Sequence, residues 1–542
     1  MLPRVAAEGL RCYTVPMNFR NINTWFHAAQ DGSVEAVHSR FEAAWKALSA
    51  ELGRTWPQHI GGKDVTGHVA HAEKFTPFDG RILVGRFPVG TREEALAAVA
   101  AAKAALPAWR ATAWQERAAL LDRTADVMTR RHAELSAVMT AENGKSRFEA
   151  GIDVDEAIDF CRSYAEQMRA HNGFITRMGS PFPGEMNETR FVPFGVFAVI
   201  APFNFPIAIT AGMTVGALVT GNTVVLKPTQ DTPLCGEMVY QCLKEAGVPD
   251  GVLNVVHGSG SVVGQAMVDS PDVDGFVFTG SVGVGLGILH AAQQHMAKPV
   301  IAEMGGKNPI IVTAKADLDK AAEGVFNAAF GFSGQKCSAC SRLYVHESVA
   351  DALIERILAR VKAVVIGHPA ERATWMGPII NAKAVKTFVE AVALAKKDGG
   401  RVLCGGERVL EGALEHGNFV QPTIVDGLPA SHELFRRELF VPFVAVNRFQ
   451  TLEEAVARAN DVEFGLTAGI FTEDAGERER FFNNIEAGVT YCNRRRGGST
   501  GAVVDAQTFT GWKNSGTTGR GAGGRNYLQQ FMREQSRTIV TD

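Results

Sequence analysis

The pattern of apolar and polar positions differs between two regions of this chain. An earlier region has the spacing of helices, and a later one has short apolar runs of strand length between helical segments. From Thr91 to Glu149 the chain is rich in alanine, with apolar residues three and four positions apart. That spacing predicts long amphipathic helices. The stretch ERAALLDRTADVMTRRHAELSAVMTAE is predicted as one such helix. The following GFITRMGSPFPGEMNETRFVPFG carries Gly and Pro with few periodic apolar residues, which predicts an extended arm.

Short apolar runs of strand length then alternate with helical segments. The runs FGVFAVIAP, TVVLKPT, LNVVHG and GFVFTG predict four strands. Strands that alternate with helices indicate a parallel sheet covered on both faces, the doubly wound α/β class, which binds ligands beyond the carboxyl ends of its strands. PVIAEM, NPIIVT and SRLYVHE predict a second α/β domain, and YLQQFMREQSRTIV predicts an edge strand that crosses to a partner subunit.

Composition narrows the class of protein. With 542 residues, 46% hydrophobic and 21% charged, the chain predicts a globular protein of several domains. A net charge of -3 without a long basic run argues against nucleic acid as a partner. No uncharged apolar stretch reaches about 18 residues, so no membrane span is predicted. Eight cysteines in so long a chain indicate free thiols and a cytoplasmic location.

Cys337, in GFSGQKCSACSR, is the first candidate for chemistry. A cysteine acts as a nucleophile when a base or a lowered pKa supplies the thiolate, but a single cysteine is also a common core filler. With Cys340 it spells CxxC, the spacing of zinc ligands or of a redox dithiol. No second CxxC or paired histidine lies at a matching interval, so no metal is expected.

Two polar residues interrupt apolar surroundings. Glu303, in VIAEMGGKNP, is a general-base candidate because burial raises a carboxyl pKa towards neutrality; the alternative is a salt-bridged strand end. Asn204, in APFNFP, offers an amide that stabilises a developing oxyanion; the alternative is an ordinary turn residue.

Residues suited to a dinucleotide follow other strands. Lys227 ends the run TVVLK, where a lysine can bond ribose hydroxyls. The turns GSGSVVG and FTGSVGVG each precede a helical segment, and a free helix N-terminus attracts phosphate. Neither turn spells GxGxxG, so neither alone identifies a dinucleotide site.

Taken in order, APFNFP, VVLKPT, FTGSVGVG, EMGGKNP, GQKCSA and ELFVPF resemble the aldehyde dehydrogenase superfamily from about Thr91 to Lys513. Glu303 and Cys337 lie 34 positions apart, as base and nucleophile do in that family. The resemblance implies a Rossmann-type cofactor domain, an α/β catalytic domain, a small oligomerisation arm and a homo-oligomer. The expected boundaries are 1–166 and 191–302 for the cofactor domain, 167–190 for the arm, 303–498 for the catalytic domain, and 499–542 for a substrate-anchoring loop and oligomerisation tail.

The resemblance also implies roles. Cys337 forms a thiohemiacetal with an aldehyde, Asn204 and the Cys337 N–H bind its oxyanion, and Glu303 activates the water that hydrolyses the later thioester. NAD or NADP accepts the hydride. The residues implied to hold this cofactor are Pro202, Phe203, Lys227, Gln230, Gly280, Ser281, Gly305, Glu438 and Phe440.

The chain departs from the family pattern at the cofactor. Gln230 replaces a glutamate that often bonds the ribose diol, and a neutral amide does not repel a 2′-phosphate, so NADP stays open. Val441 replaces a glycine, and Phe509, Thr510 and Gly511 stand where the family has FGG.

The segments SGTTGRGAGGRNYLQQF and NRRRGGSTGAVVDAQ resemble the branch that oxidises L-glutamate γ-semialdehyde. This implies that Ser338 and the N–H groups of Gly523 and Gly524 grip the substrate carboxylate, since backbone nests suit anions. Three alternatives stay open: another aliphatic or aromatic aldehyde, transfer of the acyl group to coenzyme A, and a non-catalytic scaffold, although the scaffold fits poorly with Cys337, Glu303 and Asn204 all present.

Overall fold

The computed structural model of the protein describes residues 21–66, 70–294, 296–495 and 503–541. Within these ranges the chain forms fifteen α-helices. They are α1 (Thr24–Asp31), α2 (Val34–Ser49), α3 (Arg92–Ala111), α4 (Trp114–Arg130), α5 (His132–Asn143), α6 (Arg147–Ala170), α7 (Ala208–Val219), α8 (Pro233–Ala246), α9 (Gln265–Asp269), α10 (Val282–Ala292), α11 (Leu318–Phe330), α12 (Ala350–Lys362), α13 (Ala382–Lys397), α14 (Leu452–Asn460) and α15 (Ala475–Asn484).

The same ranges contain twenty-two strands, many of them short. They are β1 (Arg54–Thr55), β2 (Gln58–Ile60), β3 (Lys63–Val65), β4 (His71–Phe75), β5 (Leu83–Pro88), β6 (Ile175–Arg177), β7 (Glu185–Pro193), β8 (Val196–Ile200), β9 (Thr223–Lys227), β10 (Leu253–Val255), β11 (Gly275–Thr279), β12 (Val300–Glu303), β13 (Asn308–Val312), β14 (Cys340–His346), β15 (Arg401–Cys404), β16 (Thr423–Asp426), β17 (Phe443–Phe449), β18 (Phe464–Gly465), β19 (Thr467–Phe471), β20 (Val489–Cys492), β21 (Trp512–Lys513) and β22 (Met532–Val540).

The first large sheet has seven strands in the order β12-β11-β8-β9-β10-β2-β3. Strands β8 to β12 run parallel, and β2 and β3 add an antiparallel edge. From β8 the chain continues outward to β9 and β10 and then crosses to β11 and β12 on the other side of β8. The order therefore reverses between β8 and β11, which is the kind of switch point at which doubly wound sheets bind ligands. PVIAEM forms β12 of this sheet, so assigning it to the second domain was wrong, and the expected boundary at 302/303 cuts β12.

The second large sheet has the order β15-β16-β17-β14-β13-β19-β20, parallel except for β15. Most residues of β13, β14 and β19 are buried, as expected for a parallel sheet covered on both faces. The predicted α/β class with two such domains is therefore confirmed.

A separate three-stranded sheet, β22-β7-β6, joins the tail to the middle of the chain. Strand β22 pairs antiparallel with β7 from Met532↔Pro193 to Val540↔Glu185. The arm therefore begins after α6 and reaches residue 193, rather than spanning 167–190. Strand β22 is exposed along almost its whole length. Residues 499–502 of the predicted tail and 1–20 lie outside the described residues.

The helical N-terminal part covers the first sheet. Thr91 and Glu94 form a capping box that starts α3, which satisfies backbone N–H groups at the helix start. The single helix predicted from ERAALLDRTADVMTRRHAELSAVMTAE is wrong: the helix breaks at Arg131, whose φ of -91° and ψ of 10° are not helical. None of the described helices combines the length and apolar character required to span a bilayer.

Candidate active site

Cys337 lies in a turn between α11 and β14. Phe332 and Ser333 both adopt left-handed backbone, with φ of 47° and 52°, a conformation that costs free energy and persists only where surrounding contacts hold it. The Ser333 hydroxyl donates to the Gly377 carbonyl at 2.8 Å. Asn308 donates to the Cys337 carbonyl at 2.7 Å. The turn is thus fixed on both sides of Cys337, whose side chain is half-buried.

Three carboxylates influence the Cys337 thiol. Burial raises its pKa well above the ordinary range, and the negative charges of Glu438, Glu303 and Glu156 raise it further. Because these residues come from three different parts of the chain, the fold brings them together around the sulfur. In the absence of a ligand the thiol is therefore kept protonated.

Glu303 ends β12, the edge strand of the first sheet. The segment Ser515–Thr517 covers this edge: the Met304 N–H donates to the Ser515 carbonyl at 2.9 Å, and the Thr517 N–H donates to the Ala302 carbonyl at 3.2 Å. Glu303 Oε2 is buried without a hydrogen-bond partner among the described residues. Burial raises the pKa of Glu303 well above its usual range. The salt-bridged alternative is thus wrong.

Asn204 lies in the loop between β8 and α7 and is 3% exposed. Its amide forms no hydrogen bond within the described part of the chain, although the loop around it is held: Asn143 donates to the Phe203 carbonyl at 3.3 Å. A buried amide group normally finds a partner. The side chain is therefore suited to donate to a bound oxygen.

The residues predicted for the adenosine half of a cofactor lie at two strand ends of the first sheet. Lys227 ends β9, is buried, and donates only to the Pro228 carbonyl, at 3.0 Å, among the described residues; burial lowers its pKa to about 8. Gln230 is exposed and lines a solvent-open surface cavity with Lys74 and His257.

Gly280 and Ser281 lead from β11 into α10. Ser281 is exposed and is the N-cap, yet no side chain of the described residues caps the helix there. A Cβ added at Gly283 would meet nothing within 4 Å. The N-terminus of α10 therefore presents uncapped N–H groups on an open side, which fits a pyrophosphate.

Glu438 and its neighbours form the opposite end of the predicted cofactor site. The Gly306 N–H donates to Glu438 Oε1 at 2.9 Å. A Cβ at Gly305 would lie 2.2 Å from Glu438 Oε2, so glycine is required for this approach. Burial raises the pKa of Glu438 to about 7. Phe440 packs edge-to-face on Phe203, and the centroids of the two rings lie 5.6 Å apart. Pro202 and Phe203 therefore lie on the Glu438 side of the predicted cofactor site.

The predicted binding site for the substrate carboxylate consists of Ser338, Gly523 and Gly524. Ser338 follows Cys337 and is buried. The N–H of Gly523, however, donates to the Tyr164 hydroxyl at 3.2 Å, and the N–H of Gly524 donates to the Gly521 carbonyl at 3.2 Å. Both amides therefore have acceptors in this structure, and both must exchange them before they can bind an anion.

The inner face of α6 holds acidic residues that the sequence reasoning missed. Glu149, Asp153 and Glu156 are spaced four and three residues apart, which places them on one face. Lys336 pairs with Glu149 at 3.1 Å, whereas Glu156 has no ion pair or hydrogen bond among the described residues; burial raises its pKa to about 8. The helical spacing of the three acids was the signal that could have found them.

The structure also bears on the CxxC alternatives. The seven described cysteines are free, and Cys340 is buried, with its thiol donating to the Arg342 carbonyl at 3.5 Å. Among the described residues no group of three or more His, Cys, Asp or Glu side chains is arranged to hold a metal ion.

The chain matches the aldehyde dehydrogenase family over residues 65–536. It belongs to this family, whose members are oxidoreductases that oxidise aldehydes with NAD or NADP, so the predicted fold, enzyme class and cofactor type are confirmed.

Within this family the chain is similar to several curated proteins and solved structures. It is 40% identical over 517 residues to a 1-pyrroline-5-carboxylate dehydrogenase of Geobacillus sp. (strain WCH70), covering 94% of this chain and 97% of the relative. A Thermus 1-pyrroline-5-carboxylate dehydrogenase with bound NAD is similar with a TM-score of 0.90 and 36% identity, over 97% of this chain and all of that one. Proline utilization A from Bdellovibrio bacteriovorus is similar with a TM-score of 0.89 and 37% identity; the match covers 94% of this chain but only 52% of that longer protein.

Proposed function

We propose that this protein oxidises L-glutamate γ-semialdehyde to glutamate with NAD or NADP, through a covalent intermediate on Cys337. The observation that carries the proposal is the arrangement of Glu303, Glu438 and Glu156 around one thiol. Supporting the substrate, the relatives named above are 1-pyrroline-5-carboxylate dehydrogenases, and their compound is the cyclised form of this semialdehyde.

In the proposed reaction the Cys337 thiol releases its proton to solvent, and its sulfur attacks the aldehyde carbon and forms a carbon–sulfur bond. The carbonyl electrons move to the oxygen, which accepts hydrogen bonds from the Asn204 amide and the Cys337 N–H. Bound NAD or NADP supplies the acceptor for the hydride that leaves this carbon, and a thioester remains on Cys337.

Glu303 then acts as general base. It takes a proton from a water molecule, whose oxygen attacks the thioester carbon, so that the carbon–sulfur bond breaks and the acid leaves. Two features support this role: Glu303 Oε2 has no hydrogen-bond partner among the described residues, and burial raises the pKa of Glu303 well above its usual range, which makes its carboxylate a stronger base.

The semialdehyde carries a carboxylate and an ammonium group that a simple aldehyde lacks. We assign the ammonium to Glu156, because this half-buried carboxylate has no ion-pair partner in the described chain. We assign the carboxylate to Ser338 and the turn at Gly523–Gly524, once those amides give up the Tyr164 hydroxyl and the Gly521 carbonyl.

Two further assignments complete the proposal. The large sheets act as cofactor and catalytic domains. The β22-β7-β6 sheet acts as an oligomerisation arm, since Ile539 and Val540 are 56% and 64% exposed on it and a partner would bury them. Sedimentation of a chain that ends at Phe531 tests the arm: the intact protein should form a dimer or a larger assembly, and the shortened chain a monomer.

The function is tested by measuring reduced-cofactor formation from the semialdehyde and from pentanal, which has the same carbon number but neither charged group. The semialdehyde should give a kcat/KM at least about 100-fold higher, because each buried charged group left unpaired costs about 1–3 kcal/mol. Glu156→Gln should reduce this preference, whereas equal rates for both aldehydes would refute the substrate.

The role of Glu303 has its own test. Glu303→Gln should give a rapid burst of reduced cofactor followed by a steady state slower by about 100-fold or more, since general base catalysis contributes a factor of about 100 to 10,000. Unchanged steady-state turnover would remove Glu303 as the base. If added coenzyme A restored fast turnover and an acyl-coenzyme A product, acyl transfer rather than hydrolysis would be the reaction.

A further inference from the structure

Lys145 and Asp153 form an ion pair inside the protein that the proposed reaction does not use. Lys145 Nζ lies 2.6 Å from Asp153 Oδ2, and both side chains are 0% exposed. Lys145 follows α5 and Asp153 lies on α6, so the pair joins the segment between these helices to α6.

The contacts of Lys145 connect the loops that carry Asn204 and Cys337. Its ammonium group lies 3.5 Å from the ring centroid of Phe205, the residue after Asn204, and 4.8 Å from that of Phe332, in the left-handed turn before Cys337. Desolvated cation–π contacts of this kind are attractive and directional. One buried charge thus holds an aromatic ring from each loop.

Asp153 extends the connection on the Asn204 side. Its Oδ1 accepts a hydrogen bond of 2.7 Å from the N–H of Ala208, where α7 begins. Asn143 donates to the Phe203 carbonyl and also accepts from the Lys145 N–H at 3.0 Å. The loop from Phe203 to Ala208 is therefore fixed from one side by the segment that carries the ion pair.

From this geometry we propose that Lys145, held by Asp153, is a positioning residue that sets the placement of the Asn204 amide relative to the Cys337 sulfur. The inference rests on the proposed roles of Asn204 and Cys337. It goes beyond them because neither Lys145 nor Asp153 touches the reacting atoms in that mechanism.

If the Lys145–Asp153 pair served only to stabilise the fold, its replacement would change stability rather than the rate of the reaction at Cys337. Isolated buried ion pairs add little to stability relative to apolar residues of equal volume, whereas loss of one partner alone is strongly destabilising. Replacing both charges therefore separates folding from positioning. The charged groups that face the pair are Glu149, Glu156 and Lys336, and their balance is preserved when both members become neutral.

The experiment compares wild type with Lys145→Met/Asp153→Asn. The Asn oxygen can still accept from Ala208, and Met occupies the volume of the lysine stem. The double variant should melt near wild type and bind NADH equally. Its pre-steady-state burst with the semialdehyde should slow by about 100-fold, the effect typical of a misplacement of about 1 Å. The pH profile of the burst should keep its midpoint and lose height, because the net charge is unchanged.

Two further variants complete the design. Glu237→Gln disturbs another buried pair, in which His59 Nε2 lies 2.8 Å from Glu237 Oε2 at the opposite edge of the first sheet, and it should keep a wild-type burst. Phe332→Leu removes one ring and leaves the ion pair intact, so it decides the matter if the double variant does not fold. It should slow the burst by about 10-fold or more.

A wild-type burst in the folded double variant, or in Phe332→Leu if the double variant is unfolded, overturns the inference. A midpoint shift without loss of height also overturns it, because that result would show a charge effect. If instead the wild-type protein shows no burst and no acyl group on Cys337, the proposed function itself fails, and the two failures are distinguished.

Discussion

Lys227→Met should make the protein more stable and its cofactor binding weaker at the same time. In the folded chain the ammonium is buried with one carbonyl acceptor, and burial lowers its pKa from 10.5 to about 8. At about 1.4 kcal/mol for each pKa unit, this corresponds to roughly 3 kcal/mol of unfavourable free energy in the folded state. Methionine has a similar shape and no charge to desolvate.

The sign of the effect fixes its pH dependence. Below pH 8 the lysine is charged in both states, and the folded state bears the full desolvation cost, so the variant should be more stable by about 3 kcal/mol. Between pH 8 and 10.5 the folded wild type loses the proton first, and the advantage of the variant should fall towards zero. Thermal melting at pH 7 and at pH 10, without cofactor, measures the two limits.

The same variant should bind NADH about 10- to 100-fold more weakly, because a hydrogen bond from a charged group to the ribose contributes about 1.5–3 kcal/mol. NADH fluorescence titration measures this. Lys383→Met on the exposed face of α13 is the matched control and should change neither quantity. A Lys227→Met protein that melts lower than wild type at pH 7, or binds NADH equally, would show that Lys227 is a structural residue.

Three further predictions concern the cofactor, the anchoring loop and the thiol. Gln230→Glu should lower kcat/KM for NADP by about 10-fold or more and leave NAD nearly unchanged, since the new carboxylate repels a 2′-phosphate in the cavity shared with Lys74; equal losses for both cofactors would contradict this. Tyr164→Phe removes the present acceptor of the Gly523 N–H, so KM for the semialdehyde should fall while KM for pentanal stays constant, and a rise in the semialdehyde KM would exclude Gly523 as a substrate donor. Glu156→Gln removes a negative charge that raises the pKa of Cys337, so iodoacetamide should modify Cys337 faster at pH 8 in the cofactor-free variant; a slower reaction would reverse the assigned sign.

Much of the fold could be predicted from the sequence, because many of its strands are continuous apolar runs. TVVLK and NPIIV are fully buried strands of parallel sheets, and such strands appear in sequence as continuous apolar stretches. The break at Arg131 was not readable, because the helical period of apolar residues continues across it. The membership of β12 was not readable either, since it depends on pairing with β11, which lies about 25 residues earlier in the chain.

The candidate site was predictable where a residue's chemistry is marked by its own neighbours in sequence. Glu303 and Asn204 each stand out as polar residues in apolar runs. Glu156 was marked only by its helical spacing from Glu149 and Asp153. Lys145 had no such signal, because its contacts with Phe205 and Phe332 exist only in the folded chain. The engaged amides of Gly523 and Gly524 were also beyond prediction, since the acceptor Tyr164 lies 359 residues away.

The most direct measurement is the mass of the protein itself during the reaction. Glu303→Gln, mixed with the semialdehyde and NAD and quenched in acid during the burst, should gain the mass of one glutamyl group, and peptide mapping should place it on Cys337. The same protein with Cys337→Ala should gain nothing and form no reduced cofactor. An acyl group on another residue, or reduced cofactor formed without Cys337, would contradict the account.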